Sequence, residues 1–343
     1  MSTKRKSKAA KRIVDPVAQH KLRQRAGSLA RENRELLKRV EEADVRADLS
    51  EALKAGAKVP KPIRTRKAAP GKRVATPVFL CSDWHVEEVV KPETVGGVNA
   101  YNPEISAKRI DRLGDAMLWM IDHHRKSFEI REAVLWLGGD LLSGYIHEEL
   151  RENNAMSPVQ TLLFLQDQIA NVFAKLLSVS GLESITVPCS YGNHGRTTHK
   201  MQVATAAANS YEWLMYHQLR RTFEANSKVQ FHVADGDFLR LKVHNTRLGF
   251  HHGHAAKFGG GVGGITIPLA KATAKWNTYG ECDVWNVGHF HQLHDLPRLV
   301  VNGSLIGTSP YGMSVGGFEA PAQASYLVDS KRGKCMSTTL WAE

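Results

Sequence analysis

Ala133-Val134-Leu135-Trp136-Leu137-Gly138-Gly139-Asp140 is the stretch on which the fold turns. Five apolar residues in a row, rich in branched and aromatic side chains and closed by a turn signal, read as a strand buried on both faces. Two glycines end it, and a carboxylate follows at once. Open α/β sheets receive ligands at the carboxyl ends of their strands, so this run delivers a charged group to that edge.

Four further stretches repeat the pattern in chain order. Asp83-Trp84-His85 follows Val78-Phe79-Leu80-Cys81, and Gly192-Asn193-His194-Gly195-Arg196 comes shortly after Ile185-Thr186-Val187-Pro188. His251-His252-Gly253-His254 follows Leu248-Gly249-Phe250, and Gly288-His289-Phe290-His291 follows Val284-Trp285-Asn286-Val287. A glycine or a tight loop beside each group leaves the backbone room around an ion. Any one of the five is weak evidence, because a lone His near a strand end is more often a hydrogen-bonded structural residue. All five in order point to a metal site.

Around these groups, strand-like runs at 77–81, 133–137, 184–188, 229–234, 238–243, 247–251, 283–287 and 299–302 alternate with helical patterns at 103–124, 158–178, 200–224 and 268–278. That alternation predicts an α/β domain over residues 75–343. The four cysteines (81, 189, 282 and 335) lie far apart with no C-x-x-C pair, and are expected as buried, reduced thiols.

In order, the motifs D-W-H, G-G-D, G-N-H-G-R, H-H-G-H and G-H-F-H resemble those of the calcineurin-like metallophosphoesterase superfamily, over roughly residues 77–304. The resemblance implies two packed mixed β-sheets flanked by helices, an α/β/β/α sandwich with metals at the sheet ends. It implies that Asp83, His85 and His291 hold one metal, that Asn193, His252 and His289 hold a second, and that Asp140 bridges both. His252 is preferred to His251 because the family's fourth motif begins at the first His of H-G-H. His194 resembles the histidine that contacts phosphate and protonates the leaving oxygen, although Gly195 stands where an acidic residue usually supports it.

Two divalent ions about 3.5–4 Å apart need a shared anion to offset their repulsion, and Asp140 supplies one. Nitrogen and oxygen donors without thiolate suit Mn²⁺ first, then Fe, Zn²⁺ or Ni²⁺. Arg196 is a candidate phosphate clamp, with a plain loop arginine as the alternative reading. Tyr145, His147 and His254 are candidate substrate contacts. The glycine run at 259–264 is a flexible or closely approached loop, Trp84 and Phe290 are packing residues, and Asn302-Gly303-Ser304 is a structural turn.

Charge divides the chain. Residues 1–74 carry 22 Lys and Arg against 8 Asp and Glu, leaving 24 against 26 for the rest. Residues 1–20 are too poor in large apolar side chains to offset chain entropy and are expected to be disordered. Residues 21–55, with Leu29, Leu36, Val40 and Ala43, read as a short amphipathic or coiled-coil helix that could pair two copies of the chain. Residues 56–74 read as a basic linker with Pro60, Pro62 and Pro70. No run of about eighteen apolar residues appears and no apolar stretch follows the charged start, so a cytoplasmic protein without membrane span or signal peptide is expected.

A basic extension attracts polyanions, and the G-D-x-x-D-R-G pattern of protein Ser/Thr phosphatases is absent, so a nuclease resembling the DNA-repair exonuclease branch is the favoured reading. A phosphodiesterase or phosphatase for nucleotides or other small esters is the alternative, since the residues after 74 are near neutral. A non-catalytic binder of nucleic acid or a partner is the third.

Overall fold

The computed structural model describes residues 24, 25, 27–29 and 71–343, except 180, 258–263 and 315–318. The chain divides into two units, Met1–Glu51 and Ala52–Glu343. In the first, the five described residues are helical and Leu29 is exposed. The expectations for residues 1–20, for most of 21–55, for 56–70 and for nearly all of the glycine run lie outside the described residues.

The second unit is mixed α/β, with two packed mixed sheets flanked by helices. Its strands are β1 (Arg73–Cys81), β2 (Phe128–Glu129), β3 (Glu132–Leu137), β4 (Ser184–Cys189), β5 (Val229–Val233), β6 (Leu239–Val243), β7 (Thr246–His251), β8 (Val284–Val287), β9 (His294–Leu296), β10 (Leu299–Val301), β11 (Ala322–Asp329) and β12 (Gly333–Trp341). One sheet runs β12-β11-β1-β3-β4-β5, with β2 beside β1, and the other runs β6-β7-β8-β10-β9. β1, β3, β4 and β5 are mutually parallel, as are β7, β8 and β10, so each sheet turns several carboxyl ends to one side.

Period-two alternation explains why both faces of β1 and β3 are apolar. Val78, Leu80, Val134 and Trp136 point between the sheets, where they meet Leu248, Phe250, Val284, Val300 and Tyr326. Ala75, Phe79, Cys81, Leu135 and Leu137 point the other way, toward the helices α1 (Pro103–Arg125), α3 (Pro158–Val179) and α4 (Tyr211–Thr222). The short α2 (Glu148–Asn153) lies between α1 and α3 in the chain, while α5 (Thr266–Trp276) packs Leu269 and Trp276 with Trp285, Val287 and Val301 of the second sheet. α1 starts where Asn102 accepts the Ile105 N–H ahead of Pro103, and it buries the stripe Ile110, Leu113, Met117 and Ile121. Each such side chain is worth roughly 1.5–3 kcal/mol when fully buried.

Three sequence readings change. The helix expected over 200–224 spans only Tyr211–Thr222, because the Ser210 hydroxyl caps Trp213 N–H and fixes the start. Residues 196–210 instead form a loop closed at its neck by an Arg196–Ser210 bridge, Thr197 N–H on Asn209 O at 2.8 Å and Tyr211 N–H on Gly195 O at 2.8 Å. The hairpin of β11 and β12 carried no strand expectation, yet β11 pairs antiparallel with β1 near the middle of its sheet. Its Ala-Gln-Ala-Ser start has little β propensity, and burial decides its conformation. β1 also begins at Arg73, two residues inside the stretch read as linker. Among the described residues no helix is long and apolar enough to cross a membrane.

Candidate metal centre

The five motifs meet at the carboxyl ends of β1, β3, β4, β7 and β8. Gly138 N–H bonds Cys81 O at 2.7 Å, Asp83 N–H bonds Gly139 O at 3.0 Å and His85 N–H bonds Asp140 O at 3.2 Å, which laces the loops after β1 and β3 together. Seven described residues other than glycine have positive φ, and five of them are Asp83, His85, Asp140, His289 and His291. Such backbone costs of order 1–3 kcal/mol per residue and persists where surrounding structure enforces it, typically at functional sites. A Cβ on Gly192 would collide with Asp140 Oδ1, so that glycine is required for close approach.

Asp83, His85 and His291 form one group, with their ligand atoms all within 4.8 Å of one another. Asp83 Oδ1 accepts the His289 N–H at 2.9 Å, and Oδ2 accepts from Ser82 Oγ. Ser82 in turn belongs to a buried network that crosses the sheets: Asn302 Nδ2 donates to Ser82 Oγ at 2.9 Å and to Gln323 Oε1 at 3.0 Å. Gln323 Oε1 also accepts from Ser82 N and Trp84 Nε1. Ser143 Oγ donates to Glu88 and so accepts from His85 Nδ1 at 2.7 Å, which leaves the His85 Nε2 lone pair facing His291 Nε2 at 3.2 Å.

Asp140, His252 and His289 form the second group, again within 4.8 Å. His252 Nδ1 faces the Gly138 carbonyl at 2.8 Å and must donate to it, so its Nε2 is turned on Asp140 Oδ2, also at 2.8 Å. Asp140 Oδ1 accepts the His194 N–H at 2.8 Å, which brings Asn193 alongside. Asn193 Oδ1 is buried and has no hydrogen-bond partner among the described residues.

These features fit divalent cations. Imidazoles whose outer nitrogens are fixed by a carbonyl or hydroxyl, with the inner nitrogens turned on carboxylates and on each other, are oriented as metal ligands are. An orphaned buried amide oxygen needs a cationic or donor partner. The charge balance agrees. Burial lifts Asp83 to about 7 despite the pull of His252, and His252, which burial alone would lower, is raised to about 10 by the Asp140 carboxylate. Burial alone would raise Asp140 too, yet His252 and His194 hold it well below the usual carboxylate range. Protons thus do part of the work that bound cations would do.

Asp237, His251 and His254 form a third close group. There His251 Nδ1 accepts the Gly253 N–H at 2.7 Å, so its proton sits on Nε2 and no lone pair remains for an ion. Its ring stacks on Trp276 with centroids 4.4 Å apart. His254 instead lines a cleft with Tyr191, Asn193, Arg196, Met201 and Gln202.

The other sequence candidates surround the centre. His194 Nδ1 donates to Ser143 O at 3.1 Å, which fixes its tautomer by a carbonyl, and its ring centroid lies 4.8 Å from that of His85. Arg196 spends three N–H groups on the carbonyls of Asn193, Thr198 and His199. His147 is exposed, 6.4 Å from the His194 ring. Tyr145 is exposed beneath the Arg151 guanidinium. Three residues that sequence reasoning left out hold the loops: Ser82, Gln323 and Glu87, whose Oε1 accepts Ser143 N–H and Gly144 N–H. Ser143 and Asn302, the latter read as part of a turn, join them. The four cysteines are free, and three are buried.

The fold and the site together define a two-sheet α/β sandwich with candidate ligands for divalent cations at its strand ends. No protein-family model and no curated protein matches the chain. Among solved structures it is similar to the crystal structure of Chaetomium thermophilum Vps29, at 8% identity and a TM-score of 0.25, over 77% of this chain and 94% of that one. A likeness that distant adds nothing to what the geometry says.

Proposed function

We propose that the chain is a metal-dependent phosphoesterase of the calcineurin-like type that cleaves phosphodiester bonds, with nucleic acid as its substrate. One observation carries the reading: two adjoining Asp/His groups, each drawn from both sheets, gather their ring nitrogens and carboxylate oxygens within 4.8 Å at the strand ends. Asp83, His85 and His291 would hold one divalent cation, Asn193, His252 and His289 a second, and Asp140 both. Mn²⁺ suits the donors best, with Fe, Zn²⁺ or Ni²⁺ next. Bound there, two such ions would neutralise the phosphoryl oxygens and lower the pKa of an attacking water.

The protein's own groups supply orientation and a proton. With Nδ1–H fixed on Ser143 O, His194 keeps Nε2 free beside His85 and, as an imidazolium, can hand its proton from Nε2 to the leaving oxygen. Arg196 retains two N–H groups for a phosphate oxygen beyond its loop bonds, and His254, His147 and Tyr145 border the approach. The excess of 22 basic over 8 acidic residues in residues 1–74 favours a polyanion.

A small-ester substrate is the second reading. It is favoured by exposed Glu148, Glu149 and Glu152 on α2, beside only one cation, Arg151, on the rim of the site. Purified chain with Mn²⁺, offered labelled DNA, labelled RNA and bis-p-nitrophenyl phosphate, decides. Cleavage of nucleic acid that stops on chelation is the expected result. Hydrolysis of the small ester alone at low salt removes the nuclease reading, and a Mn²⁺-loaded protein that hydrolyses none of the three overturns the phosphoesterase.

A further inference from the structure

Glu212 is a buried carboxylate that the proposed reaction does not use. It sits in the first turn of α4, fully buried, and it reaches into the loops that carry the candidate ligands. Oε1 accepts the Leu141 N–H at 2.8 Å, directly after Asp140, and Oε2 accepts the Gly192 N–H at 2.6 Å, directly before Asn193. One rigid group therefore sets the spacing between the loop after β3 and the loop after β4. A carboxylate accepting two backbone N–H groups makes strong, directional bonds.

Gly195 accounts for the room Glu212 occupies. A Cβ at that position would lie 3.0 Å from Glu212 Cγ, 3.2 Å from Cδ and 3.3 Å from Oε2. A side chain at 195 and the side chain of Glu212 compete for one volume. Gly195 does not have positive φ, so its backbone would accept another residue, and the exclusion comes from Glu212 alone.

We propose that Glu212 is the positioning residue of the cation site: it holds Asp140 and Asn193 at the separation that cation binding needs, and does so from the helix because position 195 is empty. This rests on the cation-binding part of the proposed function and not on the substrate. Two consequences follow. Glu212→Gln turns an amide N–H against one of the two backbone donors, so Mn²⁺ affinity should fall about 10–100-fold, the usual effect of losing a group that orients metal ligands. A carboxylate restored from the other side should recover it.

The test uses the full chain, with Mn²⁺ alone as probe and binding read by calorimetry. Amide hydrogen exchange at Leu141 and Gly192 provides a second reading that needs no metal. Glu212→Gln and Glu212→Gly should both bind Mn²⁺ weakly and exchange both amides faster. Gly195→Glu alone should also be impaired, because it crowds Glu212. The pair Gly195→Glu with Glu212→Gly should return Mn²⁺ affinity to within a few-fold of the parent and slow both amides again.

A purely structural Glu212 would lower the melting temperature while leaving Mn²⁺ affinity of the folded protein unchanged, and that result overturns the inference. So does a pair that folds or binds no better than Glu212→Gly. A parent protein that binds Mn²⁺ but cleaves no ester sinks the proposed reaction and leaves Glu212's role standing. A parent that binds no Mn²⁺ removes both.

Discussion

The Asp83 side and the Asp140 side of the centre reach the same end by different means. Besides the His289 N–H, Asp83 is braced by Ser82, which Asn302 and Gln323 link into a buried web of neutral side chains that joins β1, the end of β10 and β11. Asp140 is braced by the His194 N–H and the His252 imidazole, with a helix-borne carboxylate clamping the loops beside it. The difference teaches that the bracing of the first half depends on the two sheets staying in contact. The second depends on the loops after β3 and β4 staying in register.

Four experiments break or sharpen that comparison, taken from the largest expected effect down. Asp140→Asn removes the carboxylate proposed to hold both cations; hydrolysis should fall by more than the roughly 10–100-fold expected of an outer support, with Mn²⁺ stoichiometry reduced in metal analysis. His194→Ala removes no candidate ligand and should lower kcat by about 10²–10⁴-fold while Mn²⁺ affinity stays near the parent value, with a smaller loss on p-nitrophenyl esters, whose leaving group needs no proton. Asn302→Ala cuts the web under Asp83; it should weaken binding of one Mn²⁺ by about 10-fold and cost about 1–3 kcal/mol in denaturant unfolding, because buried partners are left unpaired. Tyr326→Phe removes the hydroxyl that donates to Asn286 Oδ1 at 2.9 Å between the sheets, and should cost about 1 kcal/mol with no change in Mn²⁺ affinity.

Acidity separates the halves as well. Metal binding requires His252, raised to about 10, and Asp83, raised to about 7, to give up their protons. Mn²⁺ affinity should therefore climb with pH through both values and collapse as pH falls below about 7. The thermal stabilisation by Mn²⁺, about 2.7 kcal/mol at a hundred times Kd, should vanish with it. A flat profile between pH 6 and 9 would contradict the protonation balance described for the two groups.

Much of the framework was legible because it repeats. Largely apolar runs closed by turn signals mark β1, β3, β4 and β8, and the residues after them are the ones the fold collects. The supports were not legible for a matching reason. Ser82, Glu212 and Gln323 are single polar residues whose supporting bonds span 71 positions from Glu212 to Leu141 and 241 from Gln323 to Ser82, and no local pattern announces such pairs. Gln323 stands out only once the strand Ala322–Asp329 is seen to be buried along its whole length, which its mixed composition does not announce. The 196–210 loop misled through its Ala-rich composition, which resembles a helix until Ser210 resets the chain.

Because each Asp/His group borrows side chains from both layers, the pair of sites works as a rivet. Sliding one sheet past the other by a single residue would separate Asp83 from His291 and Asp140 from His252 in the same motion. Ion loading should then stiffen the sandwich against shear, and chelation should loosen the seam between the layers before either layer melts.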